Sequence, residues 1–162
     1  MTIFTIGYEG LSIDVFLALL EENNIETIVD VRMLPLSRKP GFSKKVLCDI
    51  LNLSGFEYIH MPLLGCPKDV RNKYKADSDW RLYTLGFMQH LAKQEEALRE
   101  LSDLALSANC ALLCFEADHN FCHRAMVANA LMESSGFNIK HLSSQRKTKA
   151  KEPFVVHHAT LF

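Results

Sequence analysis

The chain has few residues that break regular structure, with only seven glycines and five prolines in 162 residues. That scarcity excludes collagen-like, low-complexity and disordered architectures. Net charge is nearly absent too, since 18 basic side chains face 19 acidic ones. No overall field draws the protein to a polyanion, so such a partner must be attracted by a local patch. No apolar run approaches the roughly 18 residues that cross a bilayer. The opening Met1-Thr-Ile-Phe-Thr5 also lacks a charged stretch followed by an apolar one. A soluble protein with no membrane partner is expected. The cysteines are odd in number, five, in a domain that needs no staples, so they read as free thiols and favour a cytoplasmic location.

What the sequence does have is core-forming material. Hydrophobic residues make up 48% and charged residues 23%, enough for one domain of ordinary size. Short β-rich runs alternate with helical patterns. Thr2–Ile6 reads as a strand ending at Gly7, and Ser12 caps a helix with Val15, Phe16, Leu19 and Leu20 at helical spacing. Glu26–Val31 reads as a second, buried strand. The segment from Arg32 to Ser43 holds Pro35, Pro40 and Gly41 and reads as a loop. Ser43 opens a short helix that Gly55 stops, and Phe56–His60 is a third strand. Met61 to Asp77 reads as irregular. Asp79 to Ser107 fits one long helix or two with a bend near Gly86. Cys110–Phe115 is a fourth strand, a helix runs from about Phe121 to Ser135 and is stopped by Gly136, and Asn138–Leu142 is a fifth strand. The expectation is a single three-layer α/β domain over residues 1–143. It has a mostly parallel five-stranded sheet with helices on both faces, followed by a basic tail over 144–162.

Ligands of such sheets sit at the carboxyl ends of the strands. After the first strand come Gly7, Tyr8, Glu9 and Gly10, a tight turn that matches neither a dinucleotide nor a P-loop fingerprint. Asp30 and Arg32 flank Val31 on one face of the second strand's end. They read either as a buried ion pair or as an anion-binding arginine oriented by an aspartate. Arg38, Lys39, Lys44 and Lys45 form the densest basic cluster before the tail.

The fourth strand leads into Cys114, Glu116, Asp118, His119, Asn120, Cys122, His123 and Arg124. Capping by Asp118 or Asn120 puts Cys122 and His123 in the first turn of the next helix, where the macrodipole favours a thiolate. Neither Cys114 nor Cys122 has an arginine six positions on, so phosphatase-loop and rhodanese chemistry lose their main support. Cys114, His119, Cys122 and His123 are suitable ligand types for a metal, but Cys-x7-Cys-His is not a standard zinc spacing, and no metal is assigned. Cys48 and Cys110 lie on apolar faces and are expected to be buried and inert, leaving Cys122 as the reactive thiol.

Four separated motifs carry a likeness. They are Thr5-Ile-Gly-Tyr8; Val29-Asp-Val-Arg32 with Pro35 and Ser37; Leu64-Gly65 after Tyr58; and Leu113-Cys-Phe-Glu116 with Cys122-His-Arg124. In this order the chain resembles the bacterial and archaeal domain-of-unknown-function 488 family over about residues 2–143. The resemblance implies a small α/β domain with a site built from those motifs, and no particular reaction. Cys66 stands where the family pattern usually has a second glycine.

These residues fit an enzyme or ligand-binding domain acting on a phosphate-bearing substrate, a nucleotide or nucleic acid, by hydrolase or transferase chemistry. Gly7, Tyr8, Glu9, Asp30, Arg32 and Arg124 would bind the substrate and its anion, while Glu116, Cys122 and His123 would carry the chemistry. The competing expectation is a non-catalytic nucleic-acid-binding module using Arg38–Lys45 and the tail from Arg146 to Lys151. A third possibility is structural, with Glu116 and Arg124 paired to hold the last helix on the sheet. The sequence specifies no cofactor and no oligomeric state.

Overall fold

The β-branched and aromatic run at the amino terminus forms β1 (Thr2–Gly7), and Ser12 caps α1 (Ile13–Glu22) by accepting a hydrogen bond from the Val15 N–H. The chain then runs β2 (Thr27–Asp30), α2 (Lys44–Leu53), β3 (Glu57–His60), α3 (Lys68–Asp77), α4 (Trp80–Leu91), α5 (Glu95–Ser107), β4 (Cys110–Cys114), α6 (His123–Ser135) and β5 (Asn138–Leu142). Short 3-10 turns precede α3 and α6, at Pro62–Leu64 and His119–Phe121. This computed structural model describes residues 1–144. The expected basic tail, apart from Ser144, lies outside the described residues.

All four strand pairings are parallel and the sheet order is β3-β2-β4-β1-β5. The chain walks from β1 toward one edge through β2 and β3, then reverses to β4 and β5. Right-handed crossovers in opposite directions put their helices on opposite faces. Accordingly α1 and α2 bury Phe16, Leu20, Leu47 and Leu51 with Ile6, Ile28 and Leu113 on one side. On the other, α4, α5 and α6 bury Phe87, Leu101 and Val127 with Ile3, Val29 and Leu112. The expected single α/β domain, with a five-stranded sheet covered on both faces, is the fold observed, and its sheet is entirely parallel. β1 and β4 are neighbours, yet one feeds a helix on one face and the other a helix on the opposite face. The chain therefore parts at their carboxyl ends, and the crevice of the fold opens there.

The sequence expectations need correcting in four places. Met61–Asp77 is not irregular: it contains a 3-10 turn and the ten-residue α3. That helix has no fully buried residue, so it carries little of the apolar periodicity that marks a helix in sequence. The long helical stretch breaks at residues 92–94 rather than at Gly86. Gly86 instead lets α3 approach α4, since a Cβ there would lie 3.1 Å from a Val70 methyl. Cys122 caps α6 and is not in its first turn, because the 3-10 turn capped by Asp118 comes between. Cys110 is fully buried as expected, but Cys48 is only half-buried.

Phe16 is fully buried against the edge of the Phe42 ring, whereas Leu53 at the end of α2 is 90% exposed. Phe16→Ala is expected to lower unfolding free energy by about 3–5 kcal/mol and Leu53→Ala by about 0.5 kcal/mol or less. Urea denaturation followed by circular dichroism checks the contrast.

Candidate active site at the carboxyl edge of the sheet

Asp30 is the last residue of β2 and is fully buried. It survives there because Arg32 meets it as a fork: Arg32 Nε donates to Oδ1 at 2.8 Å and a terminal nitrogen to Oδ2 at 2.7 Å. Tyr58, from β3, donates its hydroxyl to the same Oδ2. The other terminal nitrogen of Arg32 donates to the Phe42 carbonyl at 2.6 Å and the Tyr8 hydroxyl at 3.3 Å. His60 Nε2 donates to the Arg32 carbonyl at 2.7 Å. Burial works against the Arg32 charge, but Asp30 outweighs it and holds Arg32 above the ordinary guanidinium range. Tyr8 packs flat on Phe42, with ring centroids 4.5 Å apart.

Arg124, in the first turn of α6, is 1% exposed. Its Nε donates to the Thr5 hydroxyl at 3.2 Å and its terminal nitrogens to the carbonyls of Glu116 and Ala117. It therefore holds the loop after β4 by its backbone, not by the Glu116 carboxylate. Gly7 is required by the same contact, because a Cβ there would overlap the Glu116 carbonyl oxygen at 1.8 Å. Glu9 is exposed and accepts the Ala117 N–H at 3.0 Å, tying the β1 turn to that loop. Gly65 packs on the Met33 backbone, where a Cβ would come within 2.4 Å of the nitrogen.

Above these braces lies a cleft of about 570 Å³. Cys114, Glu116 and His123 line it together with Tyr8 and Arg32 from the strand ends, Arg38 from the loop, Arg71, Tyr74 and Lys75 from α3, and Trp80 and Tyr83 from α4. Tyr74, Trp80, Tyr83 and Phe121 form a continuous aromatic wall, with Trp80 stacked on Tyr83 at 4.6 Å. Among the described residues Arg38, Arg71 and Lys75 have no ion-pair partner. Among the described residues Glu116 is the single carboxylate in the lining.

Beneath the cleft, Cys114 donates to Glu116 Oε2 at 3.2 Å, and its sulfur lies 3.6 Å from His123 Nδ1. His123 Nε2 is 2.8 Å from the Val31 carbonyl, so Nε2 carries a hydrogen. Burial, then the nearby Cys122, raises the Glu116 carboxyl above its usual range. Burial also acts to raise the Cys122 thiol, but the neighbouring Cys114, His123 and Arg124 outweigh this and draw it well below the ordinary thiol value. The Cys114 thiol is correspondingly raised, by the adjacent Cys122 and by burial. His123 is raised by Cys122 against the opposing effect of burial. The arrangement favours the thiolate form of Cys122.

Of the residues singled out in the sequence, Tyr8, Arg32, Glu116 and His123 meet in the cleft wall. Gly7, Asp30 and Arg124 lie behind it, and Glu9 braces its margin. Cys122 is 2% exposed and borders a smaller hollow with His119 and Asn129. His119 stacks on His141 at 3.6 Å. Sequence reasoning missed Arg71, Tyr74, Lys75, Trp80 and Tyr83. The four-residue spacing of Arg71 and Lys75 on one helix face was the available signal.

An all-parallel five-stranded sheet flanked by helices defines the class of α/β domains, here with titratable groups clustered at its carboxyl edge. Within that class, the chain belongs to the family described as Domain of unknown function DUF488, which it matches over residues 12–131. No curated protein and no solved structure matches it.

Removing the Asp30 charge leaves a guanidinium buried without its counter-ion. Asp30→Asn is expected to cost about 3–5 kcal/mol of stability. Urea denaturation of the variant beside wild type measures it, and a loss below about 1 kcal/mol would contradict the pairing.

Proposed function

We propose that the cleft takes a phosphate-bearing ligand with a flat ring, a nucleotide or nucleotide-like group, and acts on it by hydrolase or transferase chemistry. The observation that supports this reading is the meeting of three unpaired cations, Arg38, Arg71 and Lys75, with an aromatic wall and one carboxyl in a single cleft. Phosphate oxygens suit the cations and a base suits stacking on Trp80 or Phe121. Glu116 lies where it reaches a bound ligand and serves as the acid–base group, with the Cys122–His123 pair beneath. Arg32 and Arg124, expected to bind the anion, each donate to several protein acceptors. Their part in this reading is to hold the cleft's strand-end loops. Cys122 is the most nucleophilic thiol in this reading, and the five free cysteines suit a reducing compartment such as the cytoplasm.

The nucleic-acid-module alternative draws less support. Lys39 donates to the Tyr8 carbonyl at 3.3 Å and Lys44 lies 3.2 Å from His60 Nδ1, so half of its basic cluster is engaged within the fold. Its tail lies outside the described residues.

Calorimetric titration with adenosine monophosphate, adenosine, inorganic phosphate and a short oligonucleotide tests the reading. Each charged hydrogen bond contributes about 1.5–3 kcal/mol, so Arg71→Ala and Arg38→Ala are expected to weaken the monophosphate about tenfold or more. Adenosine and phosphate alone are expected to bind more weakly than the monophosphate. Unchanged affinity in both variants, or binding by the oligonucleotide alone that survives Glu116→Gln, contradicts it.

A further inference from the structure

We propose that Cys114, Cys122 and His123 form a binding site for one thiolate-preferring divalent cation of the zinc class, with its fourth position turned toward the cleft. The spacing Cys-x7-Cys-His gives no such signal in sequence, but the fold brings the three groups together from the end of β4 and the start of α6. The two sulfurs and a ring nitrogen lie within 4.8 Å of one another, and all three residues are buried. The 3.6 Å between Cys114 Sγ and His123 Nδ1 is the separation expected of two donors on one tetrahedral ion. With metal–sulfur near 2.3 Å and metal–nitrogen near 2.0–2.1 Å, that separation comes to about 3.5–3.6 Å.

The histidine supplies an independent observation. Its Nε2–H is spent on the Val31 carbonyl at 2.8 Å, so Nδ1 is the ring nitrogen left to coordinate, and it is the nearer of the two to Cys114 Sγ, at 3.6 Å against 4.0 Å. A backbone carbonyl behind the ring is the usual way a metal-ligating histidine is oriented and its tautomer fixed. Two sulfurs and one imidazole select zinc-like ions over magnesium or calcium, which prefer oxygen donors. Three protein ligands leave one position open, as in zinc sites that bind a water. Cys114 and His123 line the cleft, and Glu116 Oε2 stands 3.2 Å from Cys114 Sγ, placed to accept a hydrogen bond from a water on the ion. The site does not depend on the phosphate reading and stands or falls separately from it.

Metal content of the full chain, purified without chelator, is measured by plasma mass spectrometry, and the chelator-treated protein is then titrated with Co²⁺. The expected result is about one zinc per chain. Co²⁺ is expected to saturate at one equivalent, with a thiolate-to-cobalt charge-transfer band and the visible absorption of a tetrahedral ion. Cys114→Ser and Cys122→Ser should lose the charge-transfer intensity stepwise, while Cys48→Ser keeps it. The wild-type spectrum needs no variant to fold. Wild-type protein without stoichiometric metal and without a thiolate-to-cobalt band overturns the proposal and leaves a hydrogen-bonded Cys–His cluster. An undiminished band in both serine variants overturns it as well.

Discussion

The buried Asp30–Arg32 pair is the constraint on which the carboxyl edge of this sheet depends. An ion pair removed from water costs several kcal/mol to desolvate, and it persists only where geometry and further hydrogen bonds offset that cost. Here the fork to Asp30 is completed by Tyr58, Tyr8 and the Phe42 carbonyl. Those partners belong to β3, to the turn after β1 and to the loop before α2. One pair thereby ties three segments that are far apart in sequence. Arg124 does the same on the other side, drawing the loop after β4 onto Thr5 by its backbone carbonyls. In the proposed reading, where both arginines brace the framework, the anion is met by the cations on the rim, Arg38, Arg71 and Lys75.

The topology explains why these braces surround a cleft. β1 and β4 lie side by side and send the chain to opposite faces, so no crossover covers their ends. Tyr8 leaves one of them and Cys114–Glu116 the other. α3 and α4 then wall the opening, with Gly86 allowing them to pack closely. A different hollow, of about 710 Å³, lies at the amino edge, lined by Glu21, Glu26 and Asn109 among others. Among the described residues it contains two carboxylates and no cation, which suits it poorly to a phosphate.

Much of the fold was legible because β1, β2 and β4 are rich in apolar and β-branched residues with clear punctuation, such as Gly7 at the end of β1 and, in left-handed conformation, Gly136 after α6. Asp30, Arg32 and Glu116 stood out because charges next to buried strands demand an explanation. Their partners did not stand out. Nothing in the sequence says that Arg32 ends on the Phe42 carbonyl or that Arg124 reaches backbone oxygens. α3 escaped notice because its contacts come from the half-buried Val70 and Tyr74, too few to set a period, and its cleft-lining Arg71 and Lys75 went with it. The proximity of Cys114 to His123 Nδ1 is a product of tertiary structure, since a strand end and a helix start set it.

The central claim is that the carboxyl-edge cleft, and no other surface, receives the phosphate-bearing ligand. Amide chemical-shift mapping of ¹⁵N-labelled protein during titration with adenosine monophosphate tests it most directly. The account predicts shifts concentrated at Met33–Arg38, Arg71–Trp80 and Phe115–Phe121. Shifts confined to the amino-edge hollow around Glu26 and Asn109, or spread along Lys44–Lys45 with the cleft silent, would contradict it.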